Sequence, residues 1–151
     1  MENIDPEKAS RVWQRVQGGG SRDPEEFLPL AAGEQSDAAM YLLLSRRFRG
    51  QEAAILRQLY EQELSHAACL KGMYFLLTGN RLPVSAGQPA PGENTNAALR
   101  RCYGREMQSL AAYEARSNDP QYGHIFQQLA RQERCHCQRL LTLIGNLQKE
   151  K

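Results

Sequence analysis

The chain has almost no excess of either charge: 19 Lys and Arg stand against 17 Asp and Glu, a formal net charge of +2 over 151 residues. Its densest cationic cluster, Arg46, Arg47 and Arg49, is too short to neutralise a run of phosphates, so a nucleic-acid partner is not expected. No apolar segment approaches the roughly eighteen residues of a membrane span, and the first thirty residues carry no apolar core of the secretory kind. The expectation is a cytoplasmic protein without membrane contact. Cysteine is scarce, and Cys69, Cys102, Cys135 and Cys137 form no Cys-x-x-Cys pair. That excludes a zinc ribbon or rubredoxin knuckle and leaves reduced thiols. Strand-like alternation is also missing, so an all-α fold is expected.

Proline and glycine gather at a few places, and these divide the chain. Residues 1–22 read as a short docking helix: Asp5-Pro6 supplies a cap and first turn, Val12, Trp13 and Val16 an apolar edge, and Gly18-Gly19-Gly20 a tether. Residues 23–151 are long enough for one domain with its own core. Asp23-Pro24 opens a helix running to about residue 48, with Pro29 expected to kink it or delay its regular part. A second helix spans residues 51–78 and stops at Gly79-Asn80. Pro83, Gly87, Pro89, Pro91 and Gly92 then make residues 81–93 a long crossover. A third helix covers residues 96–117, and Asn118-Asp119-Pro120 turns the chain into a fourth that reaches Leu147. The sum is an antiparallel four-helix bundle with one long connection between its second and third helices, plus a short extra N-terminal helix.

The bundle repeats itself. Leu59, Glu63, His66, Leu70, Met73 and Leu77 match Leu129, Glu133, His136, Leu140, Leu143 and Leu147 at a constant offset of 70. At an offset of 72, Phe27, Ala31, Glu34, Ala38, Tyr41 and Ser45 fall on Leu99, Tyr103, Glu106, Leu110, Tyr113 and Ser117. Two helical hairpins related by a pseudo-twofold axis account for both offsets.

Glu and His three residues apart interrupt an apolar stripe in each even helix. Burying such charges unpaired costs several kcal/mol each, so something must neutralise them. Positions i and i+3 lie about 60° apart on one helix face and can reach a single metal ion. With one inward Glu from each odd helix, the candidate ligands are Glu34, Glu63, His66, Glu106, Glu133 and His136. Four carboxylates balance two divalent cations, and carboxylates can bridge ions roughly 3.5–4 Å apart. Oxygen and imidazole ligands suit iron first and manganese next, and zinc is compatible with the ligand types. Tyr41 and Tyr113, two turns from ligands on the same face, are candidates for orienting a ligand or supplying a proton, against a plainer place as core aromatics. His124 is expected at the surface or in packing, Glu61 and Glu114 in solvent, and Cys135 and Cys137 in packing.

Gly33-Glu34 followed by Ala38 and Tyr41, then Glu63-x-x-His66, Glu106 and Glu133-x-x-His136, is similar to the di-iron domain of rubrerythrins within the ferritin-like superfamily, over roughly residues 24–148. Animal-type ferritins usually carry Gln at the second His and rely on a fifth helix. The bacterioferritin haem Met is replaced here by Leu64. The resemblance implies two iron ions and reduction of peroxide or dioxygen. No rubredoxin module accompanies the motif, so a separate electron donor is expected. A further Glu common in rubrerythrins one turn beyond the third ligand is Ser109 here. The alternatives are an iron-binding or storage protein and an oxygen-activating hydroxylase. A homodimer, rather than a cage, is expected.

Overall fold

A computed structural model of the chain describes residues 24–90 and 92–149. The expected N-terminal helix and its tether lie outside these residues. The described part is all-helical: a 3₁₀ turn, Pro24–Glu26, leads into α1 (Phe27–Ser45), α2 (Gly50–Thr78), α3 (Thr95–Glu114) and α4 (Gly123–Lys149). No strand occurs among the described residues, and no helix among them is long and apolar enough to cross a membrane.

Helix limits follow local chemistry. Asn94 caps α3, its side chain accepting from the Ala97 N–H at 2.8 Å. Gly79 closes α2 in the left-handed region, φ 74°, donating its N–H to the Phe75 carbonyl. The regular part of α1 begins at Phe27, after the 3₁₀ turn, and Pro29 sits in its first turn, where a missing N–H costs no helical bond. Three limits differ from the sequence reading. α1 stops at Ser45 because Arg46 and Arg47 donate to carbonyls three residues back, Leu43 and Leu44. α3 stops at Glu114 for the same reason, with Arg116 and Ser117 bonded to Tyr113 and Glu114. α4 begins at Gly123 rather than near Pro120, since the Asp119 carboxylate accepts from the Gln121 and Tyr122 N–H groups and holds a turn there.

α1 packs along α2 and α3 along α4. Their buried faces build two apolar clusters. One gathers Phe27, Ala31, Leu70, Met73, Leu110, Tyr113, Phe126 and Leu129; the other gathers Met40, Leu44, Leu56, Leu59, Leu99, Cys102, Leu140 and Leu143. Between them every helix contributes its ionisable residues, Glu34, Glu63 with His66, Glu106, and Glu133 with His136. α1 and α4 traverse these layers in one order and α2 and α3 in the reverse order. Hydrogen-bonded partners also run in opposite directions: Tyr41 with Glu106 and Glu34 with Tyr113, then Gln62 with His136 and His66 with Gln132.

Residues 79–90 and 92–94, between α2 and α3, form no helix. Leu82 is buried in the first cluster, and the Glu93 carbonyl accepts from Arg47 at 2.9 Å near the end of α1. Midway, Gly87 lies against the α1 backbone, where a Cβ would collide with the Gln35 carbonyl and come within 2.6 Å of the Ser36 nitrogen. Gly87→Ala should therefore lift this segment off α1 and destabilise the fold by about 1–3 kcal/mol, the range for overpacking a close contact. Denaturant unfolding checks this. Gly72→Ala, where a Cβ meets nothing within 4 Å, is the control.

Candidate metal centre

Glu63 and His66 fall one turn apart on the buried face of α2, as do Glu133 and His136 on α4. Burial repeats position by position: residues 61–70 and 131–140 carry the same pattern of exposed and buried sites. α1 and α3 contribute Glu34 and Glu106. All six expected ligands are within 2% of full burial.

Their atoms converge as two overlapping groups that could hold metal ions. Glu34, Glu63, His66 and Glu133 form one, and Glu63, Glu106, Glu133 and His136 the other, with ligand atoms in each group within 4.8 Å of one another. Glu63 and Glu133 belong to both. Each imidazole turns Nδ1 inward toward the other motif's glutamate: His66 Nδ1 lies 2.6 Å from Glu133 and 3.6 Å from Glu34. His136 Nδ1 lies 2.8 Å from Glu63 and 3.5 Å from Glu106. The two rings stack, centroids 5.4 Å apart.

On the outer side, His66 Nε2 lies 2.6 Å from Gln132 Oε1, and His136 Nε2 lies 2.6 Å from Gln62 Oε1. An amide oxygen can only accept, so Nε2 carries the hydrogen and a neutral ring offers its Nδ1 lone pair to the interior. Two lone pairs then face carboxylate oxygens at hydrogen-bonding distance, an arrangement that needs a proton or a cation between each pair. Nine buried side-chain atoms among the described residues lack a hydrogen-bond partner, and all but Asp37 Oδ2 belong to the six residues. A cation between them would satisfy this set, so the residues fit a metal.

Both tyrosines reach a glutamate of the cluster. Tyr41 donates its hydroxyl hydrogen to Glu106 at 2.5 Å, and Tyr113 donates to Glu34. Burial first, and then the adjacent glutamates, push both phenols well above their usual range; each stays a neutral donor that anchors one carboxylate. Without metal, burial drives Glu133 strongly upward, helped by Glu106 and Glu34, so that it keeps a proton. Burial acts on Glu106 in the same sense, but hydrogen bonds from Glu133 first and also from Tyr41 hold it below the usual carboxylate range.

His124, Glu61 and Glu114 are exposed as expected. Cys137 is buried, but Cys135 is exposed and does not take the packing place expected of it; position 135 falls on the outer face of α4. Burial lifts the Cys102 and Cys137 thiols to about 12 and about 11, so neither is a ready nucleophile.

Four partners escaped the sequence reading. Gln62 and Gln132 were marked by the same offset of 70, each immediately before a repeated Glu. Asp37 and Arg105 carried no such mark, because the repeat places Ser109 opposite Asp37. Arg105 donates to the buried Asp37, whose carboxyl burial nevertheless lifts to about 7. Removing an imidazole's outer partner typically lowers metal affinity about 10–100-fold. Gln132→Leu should do so here by freeing the His66 tautomer, and exposed Gln138→Leu should not. Competition with a chromophoric chelator reads the difference.

Comparison with protein-family models gives no match. No curated protein matches the chain.

Proposed function

We propose that this chain is a ferritin-like, rubrerythrin-like di-iron protein that reduces peroxide or dioxygen with electrons from a separate donor. Its fold in this reading is an antiparallel four-helix bundle with one long crossover. The opposed order in which α1 and α2 traverse the two apolar layers supports this, as does the matching order of α2 and α3, which needs a connection running the length of the bundle. One observation carries the metal reading: eight unpartnered buried atoms on six residues, arranged twice about two shared glutamates.

Glu34, Glu63, His66 and Glu133 would hold one ion, and Glu63, Glu106, Glu133 and His136 the other. A bound iron pair would supply the two electrons that peroxide reduction needs. The chain's own part is to orient and insulate. Gln62 and Gln132 fix the imidazoles, while Tyr41 holds the Glu106 carboxylate and Tyr113 that of Glu34, each presenting a proton beside it. The leucine and phenylalanine layers exclude water from both sides. A ring of ligands at most 2% exposed favours an oxidant of peroxide or dioxygen size over the organic substrate of a hydroxylase.

Iron-loaded, reduced protein should consume peroxide over many turnovers when a reductant is present. Retention of many irons per chain with a single round of oxidation would instead assign the site to iron storage.

A further inference from the structure

Outside the six ligand residues, one buried side-chain atom among the described residues lacks a hydrogen-bond partner: Asp37 Oδ2. A polar atom stranded in this way calls for an explanation. Asp37 lies on α1 three residues after Glu34 and four before Tyr41, so the three share a helix face. Opposite it α3 brings Arg105, which donates to Asp37 Oδ1, with Cys102 and Glu106 near enough to act on its charge. No hydrogen bond joins Asp37 to any of the six ligands.

This pair has no counterpart at the equivalent positions of the other half. At the offset of 72 that relates the odd helices, Arg105 falls on Gly33 and Asp37 on Ser109. Because position 33 has no side chain, the guanidinium can lie across the α1 backbone there: Arg105 Nη2 is 3.5 Å from the Gly33 carbonyl oxygen and would be 3.2 Å from a Cβ. Arg105 is 37% exposed and Asp37 only 4%, so the pair runs from the surface to within one helical turn of Glu34. Arg105 occupies Oδ1, and a proton on this carboxyl is therefore best placed on Oδ2, in the interior.

Reduction of peroxide to two waters breaks the O–O bond and consumes two electrons and two protons, each oxygen gaining one proton. The electrons come from the proposed iron pair and its separate donor. The protons must cross a layer whose ligands are at most 2% exposed. Tyr41 and Tyr113 each hold a proton there, but phenols pushed so far above their usual range pass one on only as another arrives. We infer that Asp37 Oδ2 delivers these protons in turn to the Glu106 side of the site and is recharged from solvent where Arg105 meets it. The inference rests on the peroxide-reducing activity proposed above. Burial lifts the Asp37 carboxyl most, Arg105 opposes the rise, and Glu106 and Glu34 add to it, leaving the group at about 7. There it can both give up and regain a proton at neutral pH.

Asp37→Asn keeps an oxygen for Arg105 and removes the proton. In the metal-free protein, infrared spectroscopy should show a carboxylic-acid band that disappears near pH 7 and is missing from Asp37→Asn, while Glu133 keeps its proton throughout. A single oxidation of ferrous-loaded protein by peroxide, which needs no external donor, gives the second reading. Asp37→Asn should fold, bind about two ions and react about 10²-fold more slowly, as expected when a positioned proton donor is lost. It should also lose the decline in rate that the unmodified protein shows as pH rises through 7. Asp37→Ser, which copies the other half, should behave in the same way, and Ser109→Ala should change nothing. A band that survives in Asp37→Asn would overturn the inference, as would a rate that the substitution leaves alone or one that falls with its pH profile unchanged. Unmodified protein that binds ferrous iron without reacting with peroxide would overturn the activity itself, and the inference with it.

Discussion

Glu63→Ala should leave a folded protein that retains well under one metal ion per chain. Glu63 belongs to both ligand groups, and one of its oxygens is the nearest neighbour of His136 Nδ1, at 2.8 Å, so its loss opens both positions at once. Glu34→Ala touches only the first group and should remove about one ion. Exposed Glu61→Ala, two residues from Glu63, should remove none. The truncation takes a buried charge out of a cluster that repels itself, so circular dichroism should report native helix content without metal. Elemental analysis after gel filtration reads the series. Equal metal in the Glu63→Ala and Glu61→Ala proteins would detach the six residues from metal binding.

Metal removal should reverse the direction in which stability depends on pH. In the metal-free protein Glu133 and Asp37 titrate above their unfolded values, Asp37 at about 7 against 3.8. Groups raised in this way contribute stability that is fully present below the unfolded pKa and is lost as pH rises toward the folded pKa. Glu106 is shifted the other way, and its contribution is lost only as pH falls through its lowered folded value. Between pH 5 and pH 7.5, then, the metal-free protein should lose stability. At about 1.36 kcal/mol per unit, the Asp37 shift alone sets a scale of a few kcal/mol. Metal competes with those protons, so the loaded protein should gain stability over the same range and melt well above the metal-free form at pH 7.5. Paired thermal scans at the two pH values test this. A metal-free protein that is more stable at pH 7.5 than at pH 5 would mean that the carboxylates are not confined together.

The buried layer of Glu and His was legible because it is written twice. A single Glu-x-x-His on a helix is common on solvated faces, but the offset of 70 repeats the flanking leucines as well, and only a shared interior imposes that constraint on both halves. Tyr41 and Tyr113 were found through the same repetition. Asp37 was not, since a lone acid three residues after a ligand looks like a solvent-facing residue until Arg105 on α3 is seen to reach it. That partnership is set by helix packing, which no periodicity encodes. The helix ends moved for a related reason. Arg46, Arg47, Arg116 and Ser117 suit a continuing helix, but their N–H groups bond three residues back, a competition between neighbouring backbone acceptors that composition does not register.

The central claim is that six residues from four helices hold two metal ions. Anaerobic titration of the metal-free protein with ferrous iron, followed by equilibrium dialysis, tests it most directly. Binding should saturate at about two ions per chain, with both lost together in Glu63→Ala and Glu133→Ala. A folded protein that binds no ferrous iron, manganese or zinc, or whose binding survives both substitutions, would contradict it.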